Sequence, residues 1–164
     1  MKFHFDEGLV RLILHDTSKG LAHIHKHLWA HHDVSSMNLL IDAEGRFKWA
    51  DLGNTRQMYA DISEQERNAL PLKQRICNQV YVSPEFLEKG YFGGFSDIHS
   101  LGVILFHACI IEMGGLIVDV MKWQPQHVGK KVRKYQFPDR FSDVLIATIK
   151  SMVLEDYRLR PTAE

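Results

Sequence analysis

Hydrophobic and polar positions divide the chain into helix-like stretches separated by polar segments. Between residues 6 and 27 apolar side chains recur at mostly helical spacing, which predicts one long helix or two short ones. Residues 39–41 and 47–50 are rich in apolar side chains and flank a turn-like segment at 42–45, so a short hairpin is predicted there. The pattern therefore predicts a helix-rich chain with one small hairpin.

Two further helices are predicted in the second half of the chain. Residues 96–112 are apolar on nearly every face, and Ser96 is positioned to cap the first turn, so this helix should be buried at the centre of the domain. Residues 141–154 form another apolar stretch after Pro138 and predict a helix. Residues 54–80 are polar and weakly periodic, and we interpret them as a long loop.

Composition fits one ordinary globular domain. The chain has 164 residues, of which 45% are hydrophobic, and its 20 basic residues balance its 20 acidic residues. Because the net charge is zero, nothing global favours nucleic acid or an anionic membrane as a partner. The longest apolar run, 101–111, is shorter than the roughly 20 residues that a membrane-spanning helix needs.

Cysteine usage and the first residues of the chain bear on its compartment. Cys77 and Cys109 do not form a closely spaced pair, and we expect both thiols to be reduced and unpaired. The first residues show no apolar stretch of signal-peptide length. We therefore expect a cytoplasmic or nuclear protein.

Candidate chemistry lies on both sides of the predicted hairpin. The segment 31–38, His-His-Asp-Val-Ser-Ser-Met-Asn, precedes it, and Asp51-Leu52-Gly53 follows it. Asp33 and Asn38 would thus face Asp51 across the hairpin, and Gly53 would let the chain turn sharply away. Such an oxygen-rich set suits a hard divalent ion, with Mg²⁺ favoured where phosphates supply the remaining ligands. Each piece alone is weak, but the pair with the intervening hairpin is far more specific.

These two segments resemble the catalytic loop and the Asp-Phe-Gly motif of protein kinases. Further segments are similar to the same family in the same order: 20–25 (Gly-Leu-Ala-His-Ile-His), 83–85 (Ser-Pro-Glu), 96–103 (Ser-Asp-Ile-His-Ser-Leu-Gly-Val) and 160–163 (Arg-Pro-Thr-Ala). The resemblance runs from about residue 8 to the end of the chain. It implies a mainly α-helical (α+β) fold, that of the large lobe of a protein-kinase-like domain, with the small β-hairpin at the cleft.

The resemblance also implies a role for each matching residue. Asp33 would orient the attacking hydroxyl and accept its proton, whereas Asn38 and Asp51 would hold the Mg²⁺ ions that bridge the phosphates of ATP. Asp97 would fix the backbone of the catalytic loop. The residues expected to contact ATP are Ser35, Asn38, Leu40 and Asp51. The residues expected to have structural roles are His31, Gly53, Glu85, Asp97 and Arg160, and the pair Glu85–Arg160 would be a buried ion pair.

The chain lacks several features of that family. It contains no Gly-x-Gly-x-x-Gly loop and no Val-Ala-Ile-Lys-type lysine before the first helix. These features hold the nucleotide between the two lobes. We therefore expect residues 1–164 to be the large-lobe portion of a kinase domain without the small lobe, either as a fragment or as a remnant that works without it.

Three substitutions within the retained lobe affect the chemistry that the resemblance implies. Ser35 replaces the lysine of serine/threonine kinases, Asn78 replaces a threonine, and His32 replaces an arginine that receives an activation-loop phosphate. Tyr81 is more similar to the serine/threonine pattern than to the tyrosine pattern. Because no Ser or Thr lies between positions 63 and 83, we hypothesise that phosphorylation of this loop does not switch the protein.

Two functions stay open. The first is Mg²⁺-dependent transfer of the ATP γ-phosphoryl group to a protein hydroxyl, with Ser/Thr favoured over Tyr. The alternative is a catalytically inactive pseudokinase or scaffold fragment that binds protein partners. The expected partners are a protein substrate or binding partner and a separate small lobe, with neither nucleic acid nor membrane. The cleft surface should expose apolar residues such as Leu40 and Trp49.

Other clusters are interpreted as structural. The histidines at positions 23, 25, 27, 31 and 32 lack the Cys or carboxylate that would complete a zinc site. The basic run Lys130–Lys134 is expected to be a solvated loop and not a nucleic-acid or targeting segment. Trp29, Trp49 and Trp123 are expected to be core or packing residues.

Overall fold

The computed structural model describes residues 5–58, 80–111 and 123–164. Within these ranges the elements in chain order are α1 Glu7–Lys26, β1 Trp29–Ala30, β2 Leu39–Ile41, β3 Phe47–Trp49, β4 Arg56–Gln57, α2 Pro84–Lys89, α3 Gly94–Ile110, α4 Val128–Lys134 and α5 Asp143–Met152. The predicted mainly α-helical fold with a small β-hairpin is confirmed. None of the helices described here is long and apolar enough to cross a membrane.

Helix α1 is one continuous helix, which decides between the two predicted arrangements. Asp6 caps it by accepting a hydrogen bond from the amide of Leu9 at 2.8 Å. Val10, Ile13 and Leu21 lie on its buried side and contribute to the core. The apolar spacing in the sequence thus corresponds to the face that packs against α3.

Helix α3 is the centre of the fold, with α1 and α5 packed against it. Leu101, Leu105 and Phe106 are completely buried, as the apolar pattern predicts. The prediction that Ser96 caps this helix is wrong, because the helix begins two residues earlier and Gly93 holds the cap position. Ser96 lies inside the first turn, where its hydroxyl donates to Glu85 Oε1 at 3.2 Å.

Helix α5 packs closely on α3. Gly102 makes this approach possible, since a Cβ atom there would come within 2.8 Å of the Cβ of Met152. The helix covers residues 143–152 of the predicted 141–154, and the hydroxyl of Ser142 caps it by accepting from the amide of Leu145 at 3.4 Å. Cys109, which lies on α3, is free and buried in the core.

The predicted hairpin is confirmed by strands β2 and β3, which pair antiparallel with Leu39 opposite Trp49 and Ile41 opposite Phe47. Asp42 shapes the turn, because its carboxylate accepts a hydrogen bond from the amide of Arg46 at 2.8 Å. The turn is completed by Gly45, whose φ of 75° is readily available to glycine.

Several elements were not predicted from the sequence. Strands β1 and β4 form a second two-stranded antiparallel sheet, and β4 lies within the predicted loop 54–80. Residues 59–79 of that loop lie outside the described residues. The short helix α2 was not predicted either.

Two interpretations of surface residues need correction. The basic run 130–134 is not a loop but part of α4, because Val128 and Val132, one turn apart, are both buried against the core. Trp29 is 42% exposed, so it is not a core residue. Trp123, in contrast, packs against the core as expected.

Candidate functional site

The segment 31–38 is tied to the buried helix α3 through one carboxylate. Asp97, which is 2% exposed, accepts hydrogen bonds from the amides of His31 at 2.8 Å and His32 at 2.9 Å. The Nε2 atom of His25 lies 2.8 Å from the same carboxylate. Burying a carboxylate is costly unless it is fully hydrogen-bonded, and these three contacts satisfy it. Asp97 therefore fixes the backbone of this loop.

Two amide side chains orient Asp33. The Nδ2 atom of Asn38 donates to the backbone carbonyl of Asp33 at 2.8 Å and to its Oδ2 atom at 3.0 Å. The Nδ2 atom of Asn54 donates to the same Oδ2 atom at 3.2 Å. One oxygen of the carboxylate is thus engaged twice, and the position of Asp33 is set from both segments of the site.

His31 supports this loop from the inside. It is completely buried, and its Nδ1 atom accepts from the amide of Asp33 at 3.4 Å while its Nε2 atom lies 3.2 Å from the carbonyl oxygen of Ala50. The tautomer that carries hydrogen on Nε2 satisfies both contacts. Through these contacts His31 links the loop to the chain just before Asp51.

The structure brings Asn38 and Asp51 to the same end of the hairpin. The amide of Ala50 donates to the carbonyl oxygen of Asn38 at 2.9 Å, which places Asp51 directly beyond this pair. Asp51 itself is exposed and has a left-handed backbone with φ of 57°. Its Oδ1 atom accepts from the amide of Gly53 at 3.2 Å. The hairpin pairing thus places the backbone of Asn38 beside the residue that precedes Asp51.

The side chains at this end of the hairpin fit a hard divalent cation. The Nδ2 atom of Asn38 donates to Asp33, whereas the Oδ1 atom of Asn38 has no hydrogen-bond partner among the described residues. The Oδ2 atom of Asp51 likewise has no hydrogen-bond partner among the described residues. Oxygen atoms of this type are the ligands that Mg²⁺ prefers. Nowhere in the described ranges do three or more His, Cys, Asp or Glu side chains form a metal-binding group. Phosphate and water oxygens would therefore have to complete the coordination.

The other residues expected near the nucleotide behave differently from one another. Leu40, in strand β2 of the hairpin, is 56% exposed, as expected for a residue that meets a ligand or a second lobe. Ser35 is only 3% exposed, and its expected contact with the nucleotide stays a prediction. Trp49 was expected to be exposed, but it packs over Gly20 and donates from Nε1 to the carbonyl of Thr17 at 2.9 Å.

His32 occupies a packed and largely apolar environment. Its ring lies 4.9 Å from the ring of Phe86 and 4.9 Å from the ring of Phe92, measured between centroids. Burial lowers the pKa of His32, which favours the neutral imidazole. A neutral ring packed in this way is a poor receiver for a phosphate. Asn78 and the positions from 63 to 79 lie outside the described residues.

Glu85 and Arg160 form an ion pair in the interior. Nη1 and Nη2 of Arg160 donate to the two carboxylate oxygens at 2.7 and 2.8 Å, and the side chains are only 0% and 5% exposed. Arg160 also donates to the carbonyls of Phe95 at 2.9 Å and Leu154 at 2.8 Å. Burial alone would raise the pKa of Glu85, but the bonds from Arg160 outweigh it and lower the pKa.

Two contacts at the site were not found from the sequence. The bond from Asn54 to Asp33 was missed, although an amide directly after Asp51-Leu52-Gly53 was a visible signal. The hydroxyls of Ser36 and Tyr81 lie 2.9 Å apart, which links the loop to the segment preceding α2. That contact depends on the path of the chain between these residues, so no local sequence pattern predicts it.

Comparison with known proteins agrees with the motif order. The family model described as "Protein kinase domain" matches residues 1–164. The chain is similar to "Serine/threonine-protein kinase Nek2" of Homo sapiens, at 27% identity over 98% of this chain and 35% of that protein. It is also similar to "CBL-interacting protein kinase 26" of Oryza sativa subsp. japonica, at 34% identity over 64% of this chain and 20% of that protein. The chain thus spans about a third or less of the length of these relatives.

Proposed function

This chain belongs to the protein kinase family, and we propose that it carries catalytic residues for Mg²⁺-dependent transfer of the ATP γ-phosphoryl group to a protein hydroxyl. The observation that supports this most directly is the arrangement of Asp33, Asn38 and Asp51 at one end of the hairpin. Serine and threonine are the favoured acceptors, since the relatives include kinases named as serine/threonine-specific.

Asp33 is the residue proposed to act on the substrate. Its Oδ2 atom receives the amide hydrogens of Asn38 and Asn54, whereas Oδ1 has no hydrogen-bond partner among the described residues. The free oxygen can accept the hydrogen of an incoming hydroxyl and thereby orient its attack. Two donors that hold the carboxylate in one rotamer reduce the cost of reaching this geometry.

Asn38 and Asp51 are proposed to hold the metal–nucleotide. Mg²⁺-bound ATP would supply the phosphoryl group and the positive charge that neutralises it during transfer. The bonds from Nδ2 of Asn38 to Asp33 leave the side-chain Oδ1 atom of Asn38 available for a cation. The same residue would therefore connect metal binding to the position of Asp33.

We propose that the remaining nucleotide contacts come from a small lobe encoded outside residues 1–164. The sequence has neither the glycine-rich loop nor the lysine that the family uses. In and next to the hairpin, Met37 is 81% exposed, Leu40 56%, Ile41 65% and Leu52 57%, with Leu40 and Ile41 on opposite faces of strand β2. Exposed apolar side chains of this kind support a covering lobe or partner.

A second candidate is an inactive scaffold of the same family. It is favoured by Ser35, which replaces a lysine and is buried, so position 35 offers no positive charge to a transferring phosphoryl group. In sites that work by electrostatic stabilisation, one lost donor reduces the rate by about 10²–10³. Under this proposal the protein would bind partners through its surface and would not turn over ATP.

A thermal-shift titration with Mg²⁺ and ATP tests the first proposal. Ligand at ten times its dissociation constant stabilises a protein by about 1.4 kcal/mol, which corresponds to a rise in Tm of roughly 3–5 °C. The rise should be absent in Asp51→Asn, which replaces a carboxylate oxygen ligand by an amide. Asp139→Asn, an exposed aspartate on another part of the surface, is the matched control and should keep it.

The two candidate functions predict different outcomes. A shift that Asp51→Asn abolishes supports metal–nucleotide binding, and phosphorylation of serine- and tyrosine-containing peptides would then distinguish the acceptor. A chain that melts cooperatively but shows no shift supports the scaffold. A shift of equal size in Asp51→Asn would contradict the role that the first proposal gives to Asp51.

A further inference from the structure

A groove far along the chain from the candidate site combines positive charge with aromatic surface. It is open to solvent, has a volume of about 520 Å³ and is lined by Trp123, His127, Lys130, Lys131, Lys134 and Tyr135. These residues define what is called here the basic-aromatic groove. It lies along helix α4 and shares no residue with the site at 31–54.

The floor of the groove is built on the protein core. The ring of Trp123 stacks on Phe106 with centroids 5.8 Å apart and an interplanar angle of 26°. Tyr135 contacts the same Phe106 edge-on at 5.0 Å, and Phe106 is completely buried in α3. Because both aromatic residues rest on a buried ring, they form a platform that does not have to be ordered on binding.

The rim of the groove carries positive charge that the described residues do not neutralise. Lys130, Lys131 and Lys134 are exposed, and the described groove lining contains no carboxylate. The ammonium of Lys131 lies 4.8 Å from the centroid of Trp123, so it is held over the platform. On the same helix, Arg133 is paired with Glu155 at 2.9 Å and therefore does not add to the free charge of the groove.

We propose that the basic-aromatic groove binds an acidic segment of a partner protein that also carries an aromatic or aliphatic side chain. The apolar side chain would rest against Trp123 and Tyr135, and neighbouring carboxylates would pair with the lysines. The volume is within the range of about 300–1,000 Å³ that is usual for sites binding compact ligands. Charge at the rim and apolar surface at the centre is the usual composition of a protein–protein contact.

The same observations favour an acidic peptide over nucleic acid. Nucleic-acid binding depends on neutralising many phosphates along a track. Here the free positive charge is confined to one seven-residue helix, and the whole chain has a formal charge of zero. A short acidic segment matches a basic site of this size, because a few carboxylates suffice to neutralise it.

Fluorescence anisotropy of a labelled peptide with the full chain tests this proposal. The probe is a short glutamate-rich peptide with one central phenylalanine, and its glutamine-for-glutamate version and a single-stranded oligonucleotide are run in parallel. We expect the glutamate peptide alone to bind, and to bind more weakly as salt is raised. In Lys130→Gln/Lys134→Gln its affinity should fall about three- to tenfold, since two exposed charge pairs are lost.

Matched variants separate charge in the groove from charge in general. Lys19→Gln/Lys89→Gln removes two exposed lysines outside the groove and should leave the affinity unchanged. Lys131→Met keeps an apolar chain on Trp123 and should weaken binding without lowering stability. Equal losses in the two double variants, tighter binding of the oligonucleotide, or binding of the glutamine peptide would each overturn the proposal. The assay requires no phosphoryl transfer, so its result is independent of the proposed catalytic function.

Discussion

The loop at 31–38 and the turn at 51–54 meet at the same end of the hairpin but are held in different ways. The loop is bound to α3 through Asp97, which is 2% exposed and accepts two backbone amides. In the turn, Asp51 is exposed and its described hydrogen bond is a local one, to the amide of Gly53. One aspartate is committed entirely to the fold, whereas the other keeps an oxygen atom available.

This difference gives the two segments different roles, one in stability and one in ligand binding. A carboxylate that positions a loop is most effective when it is buried and fully hydrogen-bonded, since removing its partners then costs most. A carboxylate that binds a metal must leave a lone pair uncommitted, which a buried and saturated group cannot do. Substitutions in the support of the loop should therefore reduce stability, and substitutions in the turn should reduce ligand binding.

The largest effect on stability is expected for the buried ion pair between Glu85 and Arg160. Arg160→Met leaves Glu85 as an uncompensated buried charge and should cost about 3–5 kcal/mol of unfolding free energy. Arg158 forms an equally short pair with Asp156, at 2.7 Å, but its side chain is 75% exposed. Arg158→Met should therefore change stability by less than about 1 kcal/mol in urea denaturation. Equal losses in the two variants would contradict the importance assigned to burial.

Acid should destabilise the fold through two buried histidines, His99 and His107. Burial lowers the pKa of His99 and of His107 to about 4, and Arg160 adds to the effect at His99. Below pH 6.5 the unfolded chain binds protons on both residues while the folded chain does not, so stability is full above pH 6.5 and is lost as the pH falls toward 4. Each histidine should contribute a loss that approaches about 1.4 kcal/mol per pH unit within this window, or roughly 3 kcal/mol for each histidine.

Replacing one of these histidines tests the assignment. In His107→Phe the slope of unfolding free energy against pH should be shallower by about 1 kcal/mol per unit between pH 6.5 and 5. The exposed His127 provides the control, and His127→Gln should keep the slope of the unmodified chain. An unchanged slope in His107→Phe would show that this residue does not titrate with a lowered pKa.

Asp97 and Asp51 give the most direct comparison of the two segments. Asp97→Asn weakens two charge-assisted hydrogen bonds to the loop and should lower stability by about 1.5–3 kcal/mol. Asp51→Asn should lower stability by less than about 0.5 kcal/mol, since it is exposed. Urea denaturation of both variants measures the stabilities, and the Mg²⁺–ATP thermal shift measures binding. A large stability loss in Asp51→Asn would remove the distinction between the segments.

The sequence predicted the long helices and the hairpin, because both follow from local patterns. Helix α1 has a regular apolar spacing, and the hairpin has a turn around Asp42 whose chemistry is recognisable. The pairing of Trp29–Ala30 with Arg56–Gln57 was not predictable, since two-residue strands carry no periodicity and their partners are distant in the chain. Helix α4 was missed because its lysines concealed the buried pair Val128 and Val132.

Burial of the site residues was harder to predict than their identity. Ser35 and Trp49 occupy positions that a linear motif places at the cleft, yet Ser35 is 3% exposed and Trp49 packs over Gly20. The direction in which each of these side chains points depends on the helices that pack beneath the loop and the hairpin, which are α1 and α3. Motif spacing determines neighbours along the chain, but it does not determine which of them faces the solvent.

A smaller effect than that of Asp97→Asn is expected where the two segments touch. Asn54 lies in the turn but donates to Oδ2 of Asp33 in the loop at 3.2 Å, an oxygen that Asn38 also binds at 3.0 Å. Asn54→Ala should therefore cost only about 0.5–1.5 kcal/mol of stability, because the stronger donor is retained. In a double-mutant cycle with Asn38→Ala the two losses should not add, since both amides hold the same oxygen. Additive losses would mean that Asn54 does not share in positioning Asp33, and the turn would then act on the cleft only through Asp51.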